Sequence, residues 1–332
     1  MRSSRKSRTG EKGAALLTAL VLIVILSGVI VAVLDDIRFA VRRTVNMRLY
    51  NQALWYAKGA EGLGRQAIGR SWQAQPSRST LNDPWAQEGI RFPIDGGTIA
   101  GRIRDGGNCF NLNSVVERDA RGRWIARPAG LEQLARLLTI LQLNTTDAEA
   151  LAATLADWMD SDGAALPGGA EDSDYMRRQP PYRTAGALLA DATELRAVRG
   201  FTEKVYVTLR QFVCALPSSA PSVINVNTLH PDQAALLVMV AAPGMSLNDA
   251  RRAIETRPIS GYISTDAFWS IDDIAPFKPS DDMPRQTAIV TRLYVLETEV
   301  VYETAEVVTG ALVEIDQAGH TTLLTRRIGG FE

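Results

Sequence analysis

Ala14–Leu34 reads AALLTALVLIVILSGVIVAVL, and the reading of this run decides the fold. It carries no charge and no Pro. At about 1.5 Å per residue a helix over it spans about 30 Å, the depth of a bilayer's hydrocarbon core. The residues before it, MRSSRKSRTGEKG, set Arg2, Arg5, Lys6, Arg8 and Lys12 against the single acid Glu11. The positive-inside rule keeps such a segment in the cytoplasm and puts everything after the apolar run on the other side.

A basic start followed by an apolar run also describes a secretory signal, but the run exceeds the usual 7 to 15 residues of such a core. No small-x-small cleavage site follows either, because the next residues are Asp35, Asp36, Ile37, Arg38 and Phe39. Two readings stay open here: an uncleaved signal anchor, or a cut after Gly13 that leaves Ala14 as the new N-terminus of a retained helix.

From Asp35 to about Trp72 there is no Pro, and Phe39, Val41, Val45, Leu49, Leu54, Leu63 and Ile68 recur at helical spacing. The pattern predicts one stem helix over 14–75, lipid-embedded over 14–34 and amphipathic beyond. Gly59, Gly62 and Gly64 mark a bend or a close packing contact. Ser71 to Gly89 is polar, with Pro76 and Pro84, and reads as a loop.

Arg91 to Ile94, Asp95-Gly96-Gly97 and the alternating Ile99, Gly101, Ile103 predict a hairpin. Helices are predicted over 131–143, 147–159, 191–198, 202–212, 231–240, 247–256 and 268–274. Period two returns over 292–302 and 305–315, with a turn at 316–319 into 321–327. The fold class is α+β: a stem helix, an antiparallel sheet from 90–115 and 285–332, and an inserted helical domain over 116–284.

The 332 residues carry a net charge of −1, and −5 once the basic leader is set aside. An acidic body gives no electrostatic reason to expect nucleic acid. Two histidines, His230 and His320, are too few for a His-based triad or zinc site, and no phosphate-loop pattern follows a strand, so the sequence predicts no enzyme. Cys109 and Cys214 both lie beyond the membrane run. An oxidising compartment allows them to pair, closing a loop worth about 4 to 5 kcal/mol on the chain-entropy model; two unpaired buried thiols are the alternative.

The densest acidic stretch is Asp157-Trp-Met-Asp160-Ser-Asp162, continued by Glu171-Asp172-Ser-Asp174. Asp160, Asp162 and Glu171 hold positions one, three and twelve of an EF-hand loop, but Ala164 and Ala165 stand where an oxygen ligand and Gly are needed. A custom Ca²⁺ loop fits this density of hard oxygens better, and a solvated acidic loop is the alternative. Glu194–Leu209 and Leu237–Ile254 look like helix-hairpin-helix units. Ser246 replaces a useful second Gly and the charges are mixed, so packing modules are favoured over phosphate contacts.

Together these features resemble the minor pseudopilin K family of the type II (general) secretion system. Lys12-Gly13-Ala14-Ala15-Leu16-Leu17, Phe110-Asn111-Leu112-Asn113, the acidic stretch, Pro180-Pro181-Tyr182-Arg183 and Ile224-Asn225-Val226-Asn227-Thr228 carry the resemblance in order. It implies a leader, residues 1–13, removed between Gly13 and Ala14 by a prepilin peptidase that also methylates the new terminus. It implies a pilin-like fold in the bacterial inner membrane with a periplasmic body. Calcium is implied on Asp160, Asp162, Glu171, Asp172 and Asp174, with Asp157 a weaker ligand, and a Cys109–Cys214 bridge is implied though not required.

The implied partners are the I and J minor pseudopilins, the major pseudopilin and the inner-membrane secretion platform. Most pilins carry Glu at the fifth mature position; Thr18 stands there instead, removing the carboxylate that would engage a subunit above and matching a place at the filament tip. The alternative function is a membrane-anchored DNA-uptake protein using the hairpin modules; a third is a Ca²⁺-dependent hydrolase.

Overall fold

The structure, a computed structural model, describes residues 9–87, 89–279 and 286–329. Residues 1–8 of the expected leader, 280–285 and 330–332 lie outside the described residues. α1 (Thr9–Ala74) is one continuous helix, so it already runs through the Gly13–Ala14 junction and ends two residues past Trp72. At about 1.5 Å per residue it is close to 100 Å long. It does not break at its glycines. The contact reading holds at Gly64, where a Cβ would stand 2.7 Å from Leu296 Cδ2, so the missing side chain lets stem and sheet close.

The chain continues as β1 (Ile90–Ile94), β2 (Gly97–Asp105), β3 (Phe110–Asn111), β4 (Val116–Arg118) and β5 (Trp124–Ala126). Next come α2 (Pro128–Ile140), α3 (Thr145–Met159), α4 (Asp172–Tyr175), a 3₁₀ turn over Ala192–Ala197, and α5 (Glu203–Leu209). β6 (Val213–Cys214), β7 (Ile224–Asn225), α6 (Ala234–Val240), α7 (Leu247–Glu255) and α8 (Thr265–Trp269) follow, then β8 (Thr287–Ala288), β9 (Leu293–Tyr302), β10 (Ala305–Ile315) and β11 (Thr321–Ile328).

The sheet runs β1-β2-β9-β10-β11, antiparallel throughout. Alternation points one face at the stem: Tyr294, Leu296, Ala311, Val313 and Ile315 pack with Ile68 and Trp72, and Val300 and Val307 pack with Ala53 and Ala57. The helical block has its own larger core, built on Leu134, Leu137, Leu155, Met159, Leu195, Leu236 and Phe268.

Sequence and structure differ at the root of the block. Residues 110–115 were expected with the sheet, yet Phe110, Leu112 and Val115 sit in the helical core and β3 pairs in parallel with β6. Buried amides explain the switch. Asn111 Nδ2 donates to Ser218 O (2.7 Å) and Ala220 O (2.9 Å); Asn113 Nδ2 donates to Leu189 O (2.9 Å) and Leu216 O (2.8 Å). The Phe-Asn-Leu-Asn motif is thus a latch that satisfies loop backbone otherwise stranded in the core. Ile224–Thr228 does the same: Asn227 pairs with both Tyr262 O and Tyr262 N, and Thr228 Oγ1 donates to Asp105 Oδ2 at 2.6 Å. The parallel β7–β8 pair was not expected. Cys109 and Cys214 are joined by a disulfide, Cα to Cα 5.8 Å, which staples this root.

Candidate metal centre

α3 begins on an Asn144 cap that accepts from Asp147 N and ends at Met159, with Asp160 as its C-cap. Asp157 and Asp160, three apart, therefore share one face at its C-terminal end. Glu171 caps the start of α4 and is brought to them by the Gly168-Gly169 turn. Asp157, Asp160 and Glu171 have ligand oxygens all within 4.8 Å of one another, and all three side chains are buried; among the described residues no other such acidic group converges. Gly169 makes room for it: a Cβ there would lie 1.9 Å from Asp157 Oδ2.

The electrostatics are unfavourable without a cation. Burial, then repulsion from Asp162 and Glu171, pushes Asp160 up to about 7. Burial raises Asp157, and burial together with Asp157 raises Glu171. Asp157 is partly compensated by Leu166 N, which donates to both its oxygens at 3.2 Å. Glu171 Oε1 is buried with no hydrogen-bond partner, an open acceptor on one of the three converging carboxylates. Three converging carboxylates with an orphaned oxygen fit a hard divalent cation such as Ca²⁺.

The other expected ligands are placed differently. Asp162 is exposed beside the group and accepts from Ala164 N at 2.9 Å. Asp172 Oδ1 accepts from Thr184 N (2.9 Å) and Oγ1 (2.8 Å), and those bonds hold its carboxyl below the usual range. Asp174 pairs with Arg177 at 2.6 Å and Arg199 at 3.4 Å. The structure thus brings together Asp160 and Glu171 of the expected set with Asp157, expected only as the weaker ligand, and turns Asp172 and Asp174 to structural bonds. The i, i+3 spacing of Asp157 and Asp160 was the signal for Asp157.

Thr18 faces out of the membrane stretch, its Oγ1 donating to Ala15 O at 3.0 Å. The hairpin modules bury their apolar residues: Leu195, Tyr206 and Leu209 in one, Leu237, Ala250 and Ile254 in the other. They are packing units.

A stem helix with a membrane-length apolar half, laid on an antiparallel sheet that carries a latched helical block, defines a membrane-anchored pilin-like subunit. Residues 108–218 and 224–291 match the two domains described as "Type II secretion system (T2SS), protein K". The chain is 34% identical to type II secretion system protein K of Pectobacterium carotovorum, covering 81% of this chain and 82% of the relative. It is 35% identical to that of Aeromonas hydrophila, covering 76% and 77%. It also superimposes on a chain of the crystal structure of the GspK-GspI-GspJ complex from enterotoxigenic Escherichia coli, with TM-score 0.76, 30% identity, and coverage of 86% and 99%. The chain belongs to the type II secretion system protein K family, structural components of that system, and its role is that of a minor pseudopilin. The comparisons lend nothing to DNA uptake.

Proposed function

We propose that this protein is a non-enzymatic tip subunit of the periplasmic pseudopilus, which it helps to initiate together with the I and J minor pseudopilins. The carrying observation is the match over 86% of the chain to a structure solved as a GspK-GspI-GspJ assembly. Thr18 supports the tip position, because a Thr already bonded to its own helix offers no carboxylate to a subunit above. The bulk of the helical block, hard to fit inside a helical stack, supports it too.

In this reading a prepilin peptidase cuts between Gly13 and Ala14 and methylates Ala14. The stem stays in the inner membrane until the secretion platform and the major pseudopilin take it into the filament. Calcium, held by Asp157, Asp160 and Glu171 with Asp162 at the rim, orders the 161–170 loop and does no chemistry. Mass spectrometry of the protein from peptidase-positive cells is expected to find Ala14 at the N-terminus, and affinity purification to recover I and J subunits. An intact Met1 with no such partners would overturn the reading.

A further inference from the structure

Leu296 and Ala311 point to the stem; the residues that alternate with them form the sheet's other face, which holds a cleft of about 250 Å³ against the root of the helical block. Its floor is two rows of side chains set by strand register. Arg102 stands opposite Glu297, Glu297 opposite Gly310, and Gly310 opposite Arg327. In the next row Arg104, Val295, Leu312 and Thr325 align in the same way. Residues paired across antiparallel strands share a face, so both rows lie on the cleft's side of the sheet. Gly310 puts no side chain between Glu297 and Arg327, which leaves a gap in the first row. Arg210 and the Cys109–Cys214 disulfide line the cleft from the block's side.

Charge defines the occupant. Four arginines line the cleft, Arg102, Arg104, Arg210 and Arg327, against three acids, Asp105, Asp191 and Glu297. Every acid is already engaged. Glu297 accepts from Arg102 Nη2 at 2.6 Å and from Arg104 Nε at 3.3 Å, and Asp191 pairs with Arg327. Asp105 accepts from Gly107 N at 2.8 Å and from the hydroxyls of Thr228 and Thr291. At least one positive charge is therefore left over. Among the described residues the Arg210 side chain makes no hydrogen bond or ion pair, and Arg104 donates only through Nε. The rest of the wall is apolar: Leu216, Val295 and Leu312 form a small buried cluster with Cys214 packed on it. Low-polarity walls around a surplus of one sign focus the field on whatever enters, so these arginines attract an anion more strongly than arginines on an open face do.

We infer that this cleft binds a carboxylate carried on a compact apolar body, with Arg104 and Arg210 supplying the donors. Two sources share that chemistry, a free organic acid and an acidic residue of a bound polypeptide. The site belongs to this chain alone and stands apart from the tip reading. The test is calorimetric titration of the full-length protein in detergent with glutarate, with the blocked dipeptide N-acetyl-glutamyl-leucine amide, and with inorganic phosphate. Saturable one-to-one binding of a carboxylate is expected; tighter binding of the dipeptide assigns a polypeptide source, and tighter binding of glutarate a free acid. Arg104→Gln with Arg210→Gln is expected to weaken the tighter carboxylate by about tenfold or more, the loss of one charge-assisted bond. Both side chains are exposed and Arg102 keeps Glu297, so thermal unfolding should stay at the wild-type value. Arg210→Gln alone breaks no bond of the fold and should weaken binding in the same direction. No saturation with either carboxylate, tighter binding of phosphate than of both, or wild-type affinity in the double variant would each overturn the inference.

Discussion

Arg326 donates Nε to Glu61 Oε2 at 2.6 Å and Nη2 to Glu61 Oε1 at 2.9 Å, so the last strand is clamped to the stem by a two-pronged ion pair. The carboxylate is buried and the guanidinium about one-third exposed. Removing Glu61 leaves an Arg that water can still reach, so the cost falls below that of a fully buried pair. Glu61→Ala is expected to cost about 2 kcal/mol, read as a lower urea midpoint of the full chain in detergent. A midpoint unchanged within error would show that the clamp adds nothing.

Gly169 and Asp157 give a sharper test of the acidic centre. Alanine at 169 drives a methyl into the Asp157 carboxylate, and the loop or the carboxylate has to move. Gly169→Ala is expected to weaken calcium binding roughly 10- to 100-fold, as displacement of a ligand's support does. Calorimetric titration reads this directly. Asp172→Asn, whose carboxylate is occupied by Thr184, is expected to change affinity far less.

The bridge at the root of the block spans a sequence separation of 105 residues. Cys109→Ser with Cys214→Ser is expected to destabilise the protein by about 2 to 5 kcal/mol, because the open chain gains the entropy the loop had lost. Unfolding in the presence of a reductant, compared with the double variant, checks it: the unaltered protein should fall to the variant's stability and the variant should not respond.

How much of this was legible in the sequence depended on range. The stem and the β9–β11 meander announce themselves through periods of 3.6 and 2 sustained over many residues, and their bounds came out within one or two residues over 305–315 and 321–327. The β3–β6 and β7–β8 pairs are two residues each and join distant segments, so no local pattern encodes them. The acidic stretch was visible as a density of charge. Which acids converge was not, because Asp174 is claimed by Arg199 and Asp172 by Thr184, partners that only the folded chain brings near. The resemblance marks Asp157 only as the weaker ligand; its place one helical turn before Asp160 is the local signal that ranks it higher.

If the acidic centre holds calcium as proposed, its raised carboxyls make calcium binding and metal-free stability depend on pH in opposite senses. In the metal-free fold Asp160 titrates at about 7 against 3.8 for an ordinary carboxyl, chiefly through burial. Between those values the folded chain keeps a proton that the unfolded chain has released, so this contribution to stability is full below about 3.8 and is lost as pH rises through about 7. Asp157 and Glu171 shift the same way. With a chelator present, the melting temperature is therefore expected to be lower at pH 8 than at pH 6. A cation must displace that proton, so the rise in melting temperature on adding calcium is expected to be larger at pH 8 than at pH 6. Asp160→Asn should flatten the metal-free trend and shrink the calcium response at both pH values. A calcium response of equal size at pH 6 and pH 8 would show that Asp160 is not a ligand.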